Sequence, residues 1–282
     1  MSRIGRSHAL RHNKAVGRNQ WIEVSAASLR NFSALPAPPA PGADDGWALF
    51  LDVDGTLLDF ASSPQGVRVD AQLHDDLACL RERLHGALAL LSGRTLEQID
   101  RLFDWRACAA AGLHGGQLRF ADGRAASGDA GEASIAALHA LAESRIAQIP
   151  GALLEDKRRA LALHYREAPA QREAIEDLAR DLLQHAGSDY TLQHGNHVIE
   201  LKSAGDDKGR ALAALLGSAP FRNRQPWMLG DDLTDEHAFE EANARGGVSV
   251  IIGTRRPTHA NFSLDDPPAV RAWLRGLAAR RE

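Results

Sequence analysis

Five short apolar runs, each ending in a polar or glycine-rich turn, constrain this chain more than any other feature. They are WALFLDVDG (47–55), ALALLSGR (87–94), CAAAGLHGG (108–116), PWMLGDD (226–232) and VSVIIGT (248–254). Unbroken apolar runs of this length predict strands buried on both faces. Helical patterns separate them. In 71–84 Leu73, Leu77, Leu80 and Leu84 recur at helical spacing, and 206–217 and 233–244 behave likewise. Strand–helix alternation implies an α/β fold, a parallel sheet with helices on both faces. Such sheets bind ligands at the carboxyl ends of their strands.

A middle block interrupts the alternation. Residues 129–147 and 170–186 read as Ala- and Leu-rich helices, and 152–166 and 190–201 as hairpins. Helix, hairpin, helix, hairpin is an α+β pattern, expected to form an inserted domain over 123–204, with 46–122 and 205–282 as the core. Residues 1–45 read as a flexible tail. Six basic residues oppose one acid in 1–43, and LPAPPAPGADDG (35–46) makes an extended linker. The net charge of −4 gives no basic nucleic-acid footprint over the whole chain. No apolar run approaches the roughly 18 residues of a membrane span. Two cysteines, Cys79 and Cys108, exclude a disulfide framework and a four-cysteine zinc site. The start of the chain has no apolar signal region, so a soluble, cytoplasmic protein is expected.

The chemistry concentrates at the strand ends. Asp52 and Asp54 close the first run, with Gly55 to turn the chain. Alternate residues of a strand point the same way, so both carboxylates can start on one side. Close carboxylates repel unless a cation or proton separates them, and Mg²⁺ suits such an oxygen cluster. Asp231 and Asp232 close the PWML run. Asp235 and Glu236 follow in the first turn of a helix, where acids favour the macrodipole; that capping role leaves Asp231 unexplained. Ser92, Gly93 and Arg94 end the second run before a Thr95–Gln98 capping box, an anion site at a helix start. Lys208, at the start of another helix, supplies a point charge for a phosphate.

Taken in order, DVDGTL, Ser92, Lys208 and GDDLTDE resemble the four motifs of the haloacid dehalogenase-like (HAD) phosphatases, over roughly residues 47 to 260. The resemblance implies a Rossmannoid core with an inserted α+β cap of the second type (C2). It implies that Asp52 is the nucleophile and Asp54 the general acid and base. It further implies that Mg²⁺ is held by Asp52, the main-chain carbonyl of Asp54, and Asp231. Ser92, Gly93 and Lys208 then hold phosphate, with Asp232, Asp235 and His114 in support.

A hairpin turning at Arg158 and Arg159 would pair Glu155 with Ala162 and Leu153 with His164. One face then carries Leu154, Leu161, Leu163 and Tyr165, the other Glu155, Lys157, His164 and Arg166. A polar outward face is commonly just solvated. Yet this set, with Glu200 beyond, suits a ligand crowded with hydroxyls. Glu-x-Lys, His-x-Arg and the later Glu look like the cap of trehalose-6-phosphate phosphatases, and AGLHG (111–115) is similar too. That resemblance implies that Glu155, Lys157, Arg166 and Glu200 bind the glucose hydroxyls, with His164 and the helix-start Arg94 as further substrate-binding candidates, and it implies a functional link to a trehalose-6-phosphate synthase. The family often has Glu where this chain has Gln117, which leaves the hydrogen bonding around His114 open. Phosphatases for sucrose or glucosylglycerol phosphate, a phosphotransferase or mutase, and a silent sugar-phosphate-binding module remain as alternatives.

Overall fold

The computed structural model describes residues 35–42, 46–59, 68–127, 132–195 and 197–280. In chain order the elements are β1 (Trp47–Leu51), α1 (Ala71–Arg83), β2 (Leu88–Leu91), α2 (Leu96–Phe103), β3 (Ala109–Gly112), β4 (Gln117–Arg119) and β5 (Ala125–Ser127). Then come α3 (Glu132–Ile146), β6 (Leu153–Asp156), β7 (Leu161–His164), α4 (Arg172–Ala186), β8 (Tyr190–Gly195) and β9 (Val198–Ser203). The chain ends with α5 (Lys208–Leu216), β10 (Gln225–Gly230), α6 (Glu236–Ala244), β11 (Val248–Ile252), β12 (Phe262–Leu264) and α7 (Pro267–Ala278).

Among the described residues the larger sheet has eight strands in the order β12-β11-β10-β1-β2-β3-β4-β5. From β12 to β3 every pairing is parallel; β4 and β5 extend the sheet antiparallel. All residues of β1, β2, β3 and β11 are buried, as strands covered by helices on both faces must be. The Leu73–Leu77–Leu80–Leu84 stripe of α1 lies in the same core. The chain enters at β1, proceeds to β2 on one side, and later returns to β10 on the other. This reversal of strand order sets the ends of β1, β2 and β10 side by side, the place where α/β sheets open a ligand crevice.

The smaller sheet is antiparallel, β6-β7-β9-β8, and has its own apolar core. Its register is the one the hairpin pattern predicts: Leu153 opposite His164, Glu155 opposite Ala162, and Lys157 N donating to Ala160 O at 3.0 Å. Leu161, Leu163 and Tyr165 are buried against residues of α3 and α4, with Leu154 partly buried beside them.

Two expectations are corrected. Strand β5 pairs with β4, so the chain leaves the larger sheet after Ser127, not at 122. The proline-rich stretch is docked rather than free over 35–42. Leu35 is buried in the main core; Pro36 O accepts from Ser263 N at 3.0 Å, Leu35 O from Ser263 Oγ at 3.1 Å, and Pro41 O from Arg280 at 3.4 Å. An extended proline segment keeps its carbonyls available, and here they cover the edge strand β12. The remaining tail residues, 1–34 and 43–45, lie outside the described residues.

Candidate active site

Asp52 directly follows β1, and its N–H donates to Leu229 O of β10 at 2.9 Å. Gly55, at φ +87°, turns the chain back so that its N–H reaches Leu58 O. Lys208 is the first residue of α5, behind Asp207, whose carboxylate caps the helix by accepting from Arg210 N. Its side chain is 2% exposed and bridges two acids, with Nζ 2.7 Å from Asp52 Oδ1 and 2.6 Å from Asp235 Oδ1. Burial works against the lysine's charge, but Asp235 and Asp52 more than reverse that and hold it above the usual lysine range.

Asp235 is fully buried, and its other oxygen, Oδ2, accepts from Asp231 N and Asp232 N, both at 3.0 Å. Gly230 is required beneath it: a Cβ there would lie 2.3 Å from the Asp235 carboxyl carbon. Asp232 accepts from Leu233 N and opens the short turn 233–235. So the capping role read for Asp235 is real, but it uses only one oxygen. The other belongs to the lysine cluster, which nothing in the local pattern discloses. Carboxylate oxygens of Asp52, Asp231 and Asp235 lie within 4.8 Å of one another. Burial, together with the neighbouring acids, raises Asp52 to about 7 and Asp231 to about 10. Asp52 Oδ2 is buried with no hydrogen-bond partner. A hard, all-oxygen donor set with an orphaned carboxylate oxygen and mutual repulsion fits a divalent cation.

Asp54 stands apart from this cluster. Both its oxygens are held by Arg94, Nε to Oδ2 at 2.7 Å and Nη2 to Oδ1 at 2.6 Å. Arg94 belongs to the loop after β2. In that loop Ser92 is 1% exposed and its Oγ accepts from Arg94 N. The Thr95–Gln98 capping box is formed, and Gln117 Oε1 accepts from Leu96 N at 2.9 Å. Gln117 therefore caps α2, a job its neutral amide does fully. Next to it Leu113 and His114 both adopt positive φ, +51° and +55°, unusual for side-chain-bearing residues. The turn is held by His114 N–H to Ser92 O and Leu113 N–H to Arg94 O, both 2.9 Å. It lays the imidazole on Gly93, where a Cβ would meet Nε2 at 2.6 Å.

The smaller sheet reaches this loop. Lys157 Nζ donates to Gly93 O at 2.9 Å and lies 3.2 Å from Glu200 Oε2; His114 Nε2 is 3.4 Å from the same oxygen. Burial favours the neutral form of Glu200, but Lys157 and then His114 overcome it and bring the carboxyl to about 2. Burial keeps His114 below its ordinary value. Glu155 meets His164 at 2.9 Å and is likewise held near 2, with Lys157 and Gln98 assisting. The structure thus gathers Glu155, Lys157, His164 and Glu200 over residues 93–98. Arg166, half-buried, lies two residues past the end of β7.

Sequence reasoning missed two residues. Gln98 donates from Nε2 to Glu155 Oε1 at 2.8 Å. Arg255 donates to the carbonyls of Asp231 and Asp232, each at 3.3 Å, and pairs with the buried Glu236. Gln98 was hidden by its capping role, and Arg255 sits in a loop without a pattern.

The chain matches the trehalose-phosphatase family model over residues 50–268. It is 43% identical over 235 residues to a probable trehalose-phosphate phosphatase of Sinorhizobium fredii, covering 83% of this chain and 87% of that one. It is 39% identical over 239 residues to the trehalose-6-phosphate phosphatase of Escherichia coli, covering 85% and 89%. The C-terminal domain of the Candida albicans trehalose-6-phosphate phosphatase superposes with a TM-score of 0.77 over 88% of this chain and 100% of that one, at 21% identity, a likeness of fold. A HAD-like hydrolase of Bacteroides thetaiotaomicron gives 0.61 at 14% identity, over 82% and 99%.

Proposed function

The chain belongs to the trehalose-phosphatase family, and from that premise we propose that it hydrolyses trehalose 6-phosphate to trehalose and inorganic phosphate, with Asp52 as nucleophile and Mg²⁺ as cofactor. The observation that carries this reading is the state of Asp52: buried, one oxygen held by Lys208, the other without a partner.

Asp52 attacks phosphorus with one carboxylate oxygen, the bond to the sugar oxygen breaks, and an aspartyl-phosphate forms. Asp54 protonates the departing alkoxide, then takes the proton from the water that cleaves the acyl phosphate. Arg94 now occupies both oxygens of Asp54; a phosphate that draws the guanidinium away frees that carboxyl for proton transfer. Ser92 and Gly93 bind phosphate at the end of β2. Lys208 keeps Asp52 aligned and offsets negative charge on the transferring group. Asp52 and Asp231, with the Asp54 carbonyl, would hold Mg²⁺, whose chemistry there is charge neutralisation of carboxylates and phosphate oxygens. Asp235 braces the site, because its oxygens are already used by Lys208 and two backbone N–H groups.

The smaller sheet with α3 and α4 acts as the cap. Glu155, Lys157, His164, Arg166 and Glu200 bind sugar hydroxyls. Sugar phosphates are charged and do not cross membranes, so we place the reaction in the cytoplasm beside the glycosyltransferase that makes the substrate.

Phosphate release with Mg²⁺ across trehalose 6-phosphate, sucrose 6-phosphate, glucose 6-phosphate and glucosylglycerol phosphate tests the reading. Selective turnover of the first is expected. Preference for another sugar phosphate would overturn the cap assignment, and no release from any of them would overturn the activity.

A further inference from the structure

We propose that Gln98 is a positioning residue that fixes Glu155 from the opposite side of the crevice and so sets how tightly the sugar is held. The inference rests on the sugar-binding role given to Glu155 above.

The Gln98 amide is committed at both ends. Oε1 accepts from Thr95 N at 2.8 Å. A backbone N–H can only donate, so this contact fixes which end of the amide is oxygen and leaves the NH₂ group for Glu155 Oε1, also at 2.8 Å. Glu155 Oε2 is engaged by His164 Nε2 at 2.9 Å. The carboxylate is therefore gripped once from the larger sheet's helix α2 and once from its own sheet. Each oxygen retains a lone pair for a sugar hydroxyl.

A second bridge runs parallel. On the same face as Glu155, Lys157 reaches Gly93 O. Both bridges land on residues 93–98, the segment that carries the phosphate loop and the start of α2. Docking of the smaller sheet and placement of Glu155 are thus set by one short stretch of chain.

The chemistry at position 98 is selective. A glutamate would complete the capping box as well as glutamine does. It could not donate to Glu155, and it would set a second carboxylate against the first. The amide is what the second contact requires.

Gln98→Glu separates the two roles, because it keeps the acceptor for Thr95. The KM for trehalose 6-phosphate should rise about tenfold while kcat changes by less than about twofold. In a Glu155→Gln background the same change should raise KM by less than about twofold, since the amide then introduced at 155 donates to the carboxylate at 98. A wild-type KM in Gln98→Glu, or equal increases in both backgrounds, would overturn the proposal. A readout free of substrate accompanies the kinetics: the Gln98 side-chain amide protons should be protected from exchange, and Glu155→Ala should remove that protection. If trehalose 6-phosphate proves not to be the substrate, this spectrum still decides whether the contact exists. If the substrate is correct and the spectrum ignores Glu155→Ala, the positioning role alone is lost.

Discussion

Lys208 is the residue on which the buried charges of the site depend. It faces Asp52 and Asp235 with almost no access to water. Removing one member of a buried ion pair leaves the other uncompensated, which typically costs about 3–5 kcal/mol. Lys208→Met should accordingly destabilise the metal-free protein by about 3 kcal/mol in urea unfolding with chelator present; an unchanged midpoint would show that these contacts do not form. Asp52→Asn should lower kcat at least about a thousandfold while the protein stays folded by circular dichroism. At this scale the sequence exposed Asp52, Asp231 and Lys208 because strand ends and helix starts in an α/β sheet are where chemistry collects. It concealed the second task of Asp235, since an acid in a first helical turn already has an ordinary explanation. The Asp54–Arg94 pair was hidden too, as it joins the ends of two strands 40 residues apart.

Among the elements, the β6–β7 hairpin was the most legible. Period-two alternation with a turn at Arg158 and Arg159 fixes which residues share a face, and the register follows. The charged face that continues from the hairpin onto β9 is also where an acid-dependent part of stability resides. Glu200 titrates near 2 in the folded protein against an ordinary value of 4.5. Its contribution is complete above pH 4.5 and disappears as pH falls towards 2. Glu200→Gln should remove about 2–3 kcal/mol at neutral pH and flatten the fall of Tm between those limits. A parallel fall in both proteins would refute the Lys157–Glu200 pair. The His114 turn offers a second check. Gly93→Ala would push the imidazole away from Glu200, lowering kcat/KM while Lys157 and Glu200 remain in place. Strands β4, β5 and β12 were not legible, because three-residue strands carry too little periodicity to separate them from loops.

For the whole molecule, two apolar cores are joined by polar bridges across a crevice, and the chain's own extension seals the far edge of the larger sheet. A protein starting at Ala43 should be less stable than one starting at Leu35 by about 2 kcal/mol in denaturant unfolding, from lost burial of Leu35 and the two backbone contacts to Ser263. Composition suggested a tail there because Pro-Ala repeats cannot build a core; it could not show that they would cover an existing one. In the proposed reaction Asp52 carries the phosphoryl group of trehalose 6-phosphate between the two half-reactions. Rapid acid quench of the Mg²⁺-loaded protein with substrate bearing a radiolabelled phosphoryl group, followed by peptide mapping, tests this most directly. Label is expected on the peptide containing Asp52 and none in Asp52→Asn. Phosphate release with no labelled peptide, or with label on another residue, would contradict it.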